Sequence, residues 1–276
     1  MRYAGSSTIE WPGMVSVYAV LGPHPRVTTT GAHQVGIDFG GHRGLVREID
    51  GRAGRHDAEP GSVYVTGPSP ITWLEVRDPT EALEIYPDRA LAERLAGGIR
   101  GTAEVRPSLA VRDGTVFAVA SRLRRAHLTT GTLTDIEAST LAHLLVRHLL
   151  RRYGTGPEPR RRPAGEMRPG AVDVVAEYIR AHLADEITLD ALAAAVNLSP
   201  YHFARSFRAT TGMTPHVFVT EHRLMVARDR LLRDDASVPG VALSVGFSNI
   251  SHFRRLFRRR YGLTPAGLRG TTAGQP

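Results

Sequence analysis

The chain contains no cysteine in its 276 residues. That absence excludes structural disulfides, thiolate zinc sites, iron–sulfur clusters, thiol nucleophiles and thiol-based redox sensing together. There is no lysine either, so all 35 basic residues are arginine. No apolar run approaches the roughly 18–20 residues that span a bilayer. The N-terminal stretch MRYAGSSTIEWPGM lacks the basic start and apolar segment of a signal peptide. A cytoplasmic protein with no membrane partner is expected. What the chain does have is ordinary core material: 42% of its residues are hydrophobic, enough for two modest domains or one large one.

The net charge of +8 is unevenly placed. Residues 1–150 hold 16 Arg against 16 acidic residues, which cancel. Residues 151–169 hold 6 Arg against 2 Glu, and residues 170–276 hold 13 Arg against 9 acidic residues, +4 in each case. A neutral half joined to a basic half points the second half toward a polyanion. A mildly basic soluble surface accounts for the charge alone equally well.

Residues 13–105 read as β-rich. MVSVYAVL (14–21) and SVYVTG (62–67) carry β-branched and aromatic residues between turn segments such as GPHP, FGGHRG and EPGS, the spacing of a small barrel or sandwich. The period becomes helical over 115–128 and 133–153. In the second stretch Leu133, Ile136, Thr140, Leu141, Leu144, Leu145, His148 and Leu149 mark one stripe, suited to a core face or a dimer seam. Acidic Asp135 and Glu137 at its start and Arg151 and Arg152 at its end suit the helix dipole. GTGPEPRRRPAGEMRPG (154–170) has four prolines and four glycines and reads as a solvated, extended linker. Helices are expected from there almost to the end.

Within that helical region a single phrase occurs twice. YHFARSFRATTGMTP (201–215) and SHFRRLFRRRYGLTP (251–265) agree at 8 of 15 positions. Each closes a helix–turn–helix unit. Thr188 and Ser237 are expected to cap the first helices. Asn197 and Gly246, residue types that tolerate left-handed backbone, are expected to end them. Ser199 with Pro200 is expected to start the second helix of unit one, and Ser248 that of unit two. Phe203 and Phe207, repeated as Phe253 and Phe257, share a buried face by their i, i+4 spacing. Arginines occupy the opposite face, the pattern of a helix that docks on an anion. Between the units, residues 215–234 read as one helix roughly 30 Å long, close to the ~34 Å between successive major-groove segments on one face of B-DNA.

Residues 172–269 resemble the DNA-binding domain of the AraC/XylS family of bacterial transcription regulators, most strongly over GFSNISHFRRLFRRRYGLTPAGLR (246–269) and LSPYHFARSFRATTGMTP (198–215). The resemblance implies seven helices in two subdomains joined by the long helix. By position it assigns base reading to Tyr201, Ala204, Arg205, Ile250, Ser251, Arg254 and Arg255. Arg205 and Arg255 suit that role because arginine donates bidentately to guanine O6 and N7. Phosphate contacts are expected from Ser199, His202, Arg208, His252, Arg258, Arg259 and Arg260, since most protein–DNA hydrogen bonds go to the backbone. The recurrence of His202 and His252 in register also suits a shared packing or capping role. Pro239, Gly240 and Gly267 depart from the family's helix formers; glycine costs about 1 kcal/mol in a helix, so a looser second unit is expected.

The N-terminal half resembles the cupin-type sensor arm of many family members. The expected fold is therefore α+β in two domains: a cupin-like β-barrel region (1–105), a helical pair for dimerisation (106–153), a linker (154–169), an all-α double helix-turn-helix domain (170–270) and a tail (271–276). Tyr64, Trp73 and Tyr86 are candidates to line an effector pocket, although strand aromatics more often form core. Leu141, Leu144, Leu145 and His148 are candidates for the dimer helix. Expected partners are double-stranded operator or promoter DNA, an unidentified small-molecule effector, a second copy, and RNA polymerase if the protein activates. Two other functions stand beside this one: an architectural DNA binder without effector, and a metal-dependent cupin enzyme. The enzyme would need clustered ligands; His33, His42, His56 and Glu59 lie in the right region, but there is no His-x-His pair. No catalytic residue, metal or cofactor is expected. The repair-type relatives with an alkyl-accepting cysteine are excluded by the missing cysteine.

Overall fold

The structure, a computed structural model, describes residues 4–21, 28–49, 52–68, 71–75, 80–99, 103–129, 133–155, 165–233 and 236–272. Two antiparallel sheets form the N-terminal region. Six strands lie in the order β1 (Ala4–Trp11), β2 (Met14–Leu21), β9 (Thr80–Pro87), β4 (Val35–Asp38), β7 (Ser62–Val65) and β10 (Ser108–Val111). The other four lie in the order β3 (Thr28–Thr29), β8 (Thr72–Glu75), β5 (His42–Ile49) and β6 (Arg52–Ala58). Because strand side chains alternate, one face of β2 carries Met14, Ser16 and Tyr18 inward, and one face of β9 carries Glu81, Leu83 and Ile85. The sheet region extends past 105, since β10 pairs with β7. It also contains a helix that was not expected, α1 (Arg89–Ile99), whose Ala90 N–H donates to Asp88 Oδ1.

Two further helices follow. In α2 (Gly114–Leu128) the Asp113 carboxylate caps the start by accepting from the Thr115 and Val116 N–H groups. In α3 (Asp135–Arg152) Thr134 and Glu137 form a reciprocal capping box. Both helices stand where the hydrophobic period puts them. α2 is buried along most of its length, and its Arg124 side chain is 0% exposed.

The dimer-seam expectation for α3 is corrected. Leu141 and Leu145 are buried within the chain, and Leu144 is half-buried. The His148 Nε2 bonds to Asp113 Oδ2 at 2.7 Å. That carboxylate also accepts from the Tyr153 hydroxyl. Leu141, Leu145 and Leu149 of the stripe are thus spent inside one molecule, while Ile136, counted in it, is 81% exposed.

The C-terminal region has the seven helices the resemblance implies: α4 (Ala171–Ala181), α5 (Leu189–Ala194), α6 (Pro200–Thr211), α7 (Pro215–Arg233), α8 (Val238–Ser244), α9 (Ile250–Tyr261) and α10 (Pro265–Thr272). The segment before α4 is anchored rather than solvated where it is described. Met167 is buried, its N–H donates to Thr210 Oγ1, and Glu166 pairs with Arg147 and Arg151. Residues 156–164 of the expected linker lie outside the described residues.

The core is divided unequally. One continuous apolar cluster runs from Ile37, Leu83 and Ile85 in the six-stranded sheet through Val116 and Val119 of α2 to Phe203 and Phe207 of the first helix-turn-helix unit and Phe218 of the connecting helix α7. The second unit has its own cluster around Val241, Phe253, Phe257 and Tyr261. Unit one is therefore welded to the sheet region by hydrophobic burial, whereas unit two meets it mainly through arginine side chains. No helix among the described residues is long and apolar enough to cross a membrane.

Candidate nucleic-acid interface

The two repeated phrases fold alike because the same local chemistry starts and stops each helix. The Thr188 hydroxyl accepts from Ala191 N–H at 3.1 Å, and the Ser237 hydroxyl accepts from Gly240 N–H at 3.1 Å. The turn after α5 takes Asn197 to φ +56, and the turn after α8 takes Gly246 to φ +82. Both ends make the paired hydrogen bonds of a Schellman turn. Leu198 N–H reaches Ala193 O and Asn197 N–H reaches Ala194 O; Phe247 N–H reaches Ala242 O and Gly246 N–H reaches Leu243 O. Ser199 caps α6 with Pro200 in its first turn. In unit two the cap is Asn249, whose Oδ1 accepts from His252 N–H at 2.9 Å, not Ser248 as expected. Asparagine and serine are equally good caps, so composition alone does not choose between neighbours. Thr214–Pro215 and Thr264–Pro265, which close the phrases, begin the next helices: Thr264 accepts from Gly267 N–H at 3.1 Å. Pro239, Gly240 and Gly267 are accommodated because all three fall in first turns.

This geometry orients α6 and α9. Phe203, Phe207, Phe253 and Phe257 are fully buried, with ring centroids 5.3 Å apart in one pair and 5.4 Å in the other. The opposite faces are open. Tyr201 is 70% exposed. Arg205, Arg208, Ser251, Arg254, Arg255, Arg258 and Arg259 are exposed, while Ala204 and Ile250 are half-buried. None of these six arginines makes an ion pair with a described residue. Six guanidiniums held on two helices outside any ion pair with a described residue are available to an external anion, although Arg259 also feels the Glu221 carboxylate. His202 and His252 are exposed third residues of their helices. The Ser199 hydroxyl is already engaged by His202, through its N–H and its ring Nδ1.

The connecting helix α7 holds 19 residues, about 28 Å at the α-helical rise. Its Arg223 ties the units together, donating to Asp185 O at 2.7 Å and to Gly246 O at 3.0 Å. Gly246 is required twice over. Its φ suits glycine, and an added Cβ would sit 2.6 Å from Arg223 Cζ and collide with Leu183 O.

Arg260 does not belong to the open face. It is 4% exposed, pairs with Glu221, and lies 5.5 Å over the Phe39 ring and 5.4 Å over the Tyr261 ring. The phosphate role expected for it is thus contradicted. Helical period explains the outcome: positions 253, 257, 260 and 261 form one stripe, so Arg260 follows the phenylalanines inward. There it joins a cluster that sequence reasoning missed. Arg124 pairs with Glu81 and stacks 4.7 Å over the Tyr261 ring. Arg228 reaches Glu81 at 3.0 Å, and Arg125 reaches Glu221 at 2.5 Å. Burial drives the Glu221 carboxyl above the usual carboxylate range despite the nearby Arg125, and it pushes the Tyr18 and Tyr261 hydroxyls up to about 12.

The expected effector aromatics do not converge on a described cavity. Tyr64 is buried, and the half-buried Tyr86 spends its hydroxyl on Glu84 at 2.8 Å. The Trp73 and His56 side chains lie outside the described residues. His42 pairs with Asp38 at 2.5 Å. No group of three or more metal-ligating side chains occurs among the described residues.

Residues 192–271 match a family described as a helix-turn-helix domain. The chain is 38% identical over 92 residues to the regulatory protein PocR of Salmonella typhimurium, covering 33% of this chain and 30% of that protein. It is 36% identical over 98 residues to the transcriptional activator RhaS of Escherichia coli, covering 36% and 35% respectively. The match therefore spans about a third of the length of these curated relatives. Among solved structures, a probable AraC family transcriptional regulator from Rhodopseudomonas palustris is 32% identical, with 37% of this chain and 97% of that one covered and a TM-score of 0.35.

Proposed function

For a chain that belongs, through its C-terminal domain, to the AraC/XylS family of transcription regulators, we propose sequence-specific reading of operator DNA in two successive major-groove segments. α6 enters one segment and α9 the next. Tyr201, Ala204 and Arg205 face bases in the first, and Ile250, Ser251, Arg254 and Arg255 in the second. Arg208, Arg258 and Arg259, with the exposed N-terminal turns at His202 and His252, hold phosphate. One observation carries this reading: two units with matched Schellman turns each present unpaired arginines, and a single helix of about 28 Å spaces them near one DNA turn.

The N-terminal sheets, read as a cupin-like sensor, are the place for effector control of this cytoplasmic regulator. What supports that assignment is the apolar core they share with unit one, which gives any change in the sheets a direct path to α6. A dimer through α3 is not included in the proposal, because Leu141 and Leu145 are buried within the chain.

The test is differential. Arg205→Ala should cost roughly 1–3 kcal/mol on the selected site and relax preference at one base position, whereas Arg258→Ala should weaken binding alike on all sequences. Fluorescence anisotropy at fixed salt reads both. Equal losses on selected and random DNA for Arg205→Ala would remove Arg205 from base reading.

A further inference from the structure

Between α2, α7 and α9 lies a cleft of about 320 Å³, at the small end of the range for small-molecule sites. Its polar wall carries the cations Arg125 from α2 and Arg255, Arg259 and Arg260 from α9, with the imidazoles of His216 from α7 and His252 from α9. Glu221 is the one carboxylate on that wall, and it is already committed to Arg125 and Arg260. Val217, Leu224 and Leu256 supply an apolar side.

Two observations point this cleft toward an anion. Arg260 is buried, yet its Nη1 and Nη2 have no hydrogen-bond partner. The cluster to which it belongs sets four guanidiniums, of Arg124, Arg125, Arg228 and Arg260, against two carboxylates, Glu81 and Glu221. Buried charge is ordinarily matched, because unpaired ions in a low-dielectric interior are strongly penalised. Of these groups Arg125 and Arg260 line the cleft against the single carboxylate of Glu221, beside Arg255 and Arg259, which make no ion pair with a described residue.

We propose that the cleft binds a small organic anion, with a carboxylate or phosphate head held by Arg125, Arg259 and Arg260 and a short apolar body against Leu224 and Leu256. This site is separate from the strand aromatics Tyr64 and Tyr86. Occupied, it links α2 of the sheet region to α9. Resting on the DNA-reading role of α9 proposed above, the anion then competes with DNA for Arg259, beside Arg255.

Calorimetric titration of the full chain with inorganic phosphate and, separately, with hexanoate tests the site without any DNA. Saturable binding of phosphate alone identifies a phosphate-ester ligand, and of hexanoate alone a carboxylate; either outcome, or both, supports the cleft. Arg259→Gln and Arg125→Gln should each weaken the bound probe roughly tenfold. Arg254→Gln, an equal charge change on the open face of α9, should leave anion affinity in place. Binding of neither probe, or equal weakening by Arg254→Gln and Arg259→Gln, overturns the proposal. In a second arm the bound probe should weaken operator binding by the parent chain. Absence of any DNA binding there would sink the DNA-reading role while leaving the titration result standing.

Discussion

Glu81→Gln tests how the second helix-turn-helix unit is held. Glu81 lies on the buried face of β9, accepts from the Tyr18 hydroxyl at 3.0 Å, and pairs with Arg124 and Arg228. Glutamine keeps the volume and one acceptor oxygen but removes the charge. Two guanidiniums, one fully buried and one 5% exposed, then lose their shared counter-ion. Removing one partner of a buried ion pair costs about 3–5 kcal/mol. For a chain of this size that is roughly a 6–20 °C fall in Tm. Because the two units have separate apolar clusters, the loss should be local: scanning calorimetry should resolve an early transition for unit two, followed by the remainder. Arg228 and Arg260 would become accessible together with it, seen as faster amide exchange in α9. A loss under about 1 kcal/mol, with one unchanged transition, would show that the arginine cluster does not hold unit two.

Gly246→Ala should destabilise the chain by roughly 1–3 kcal/mol, because alanine is strained at φ +82 and its Cβ collides with Leu183 O; urea denaturation reads this, and a neutral result would refute the close packing. His222 is buried between the Phe117 and Phe218 rings, and burial, with the charges of Arg180 and Arg112, lowers its pKa from 6.5 to about 3. A histidine depressed in the folded state contributes stability that is full above the unfolded value near 6.5 and is lost as pH falls toward 3. His222→Phe should therefore flatten the stability profile between those limits; an unchanged slope would place the acid sensitivity elsewhere.

Features that short-range chemistry decides were legible from the residues. Thr188, Ser199 and Ser237 cap the helices they precede, and Asn197 and Gly246 take the left-handed backbone that ends them. The paired phenylalanines follow from a 3.6-residue period. Features decided by distant partners were not. Arg260 reads as a surface cation in RRRY, but its neighbours Phe39 and Arg124 lie 221 and 136 positions away. His148 fits a helical stripe until Asp113, 35 positions earlier, claims its ring. α1 was hidden for a different reason. Leu91 and Leu95 share its inner face, but it is short and lies between strand-rich segments.

The most direct measurement is selection from random double-stranded DNA by the full chain at fixed salt, since affinity without the salt concentration has no meaning here. The account predicts a bipartite site, two short blocks whose centres lie about 10–10.5 base pairs apart, with information lost from one block alone in Arg205→Ala. A single block, or no enrichment over random sequence, would contradict two-groove reading by α6 and α9.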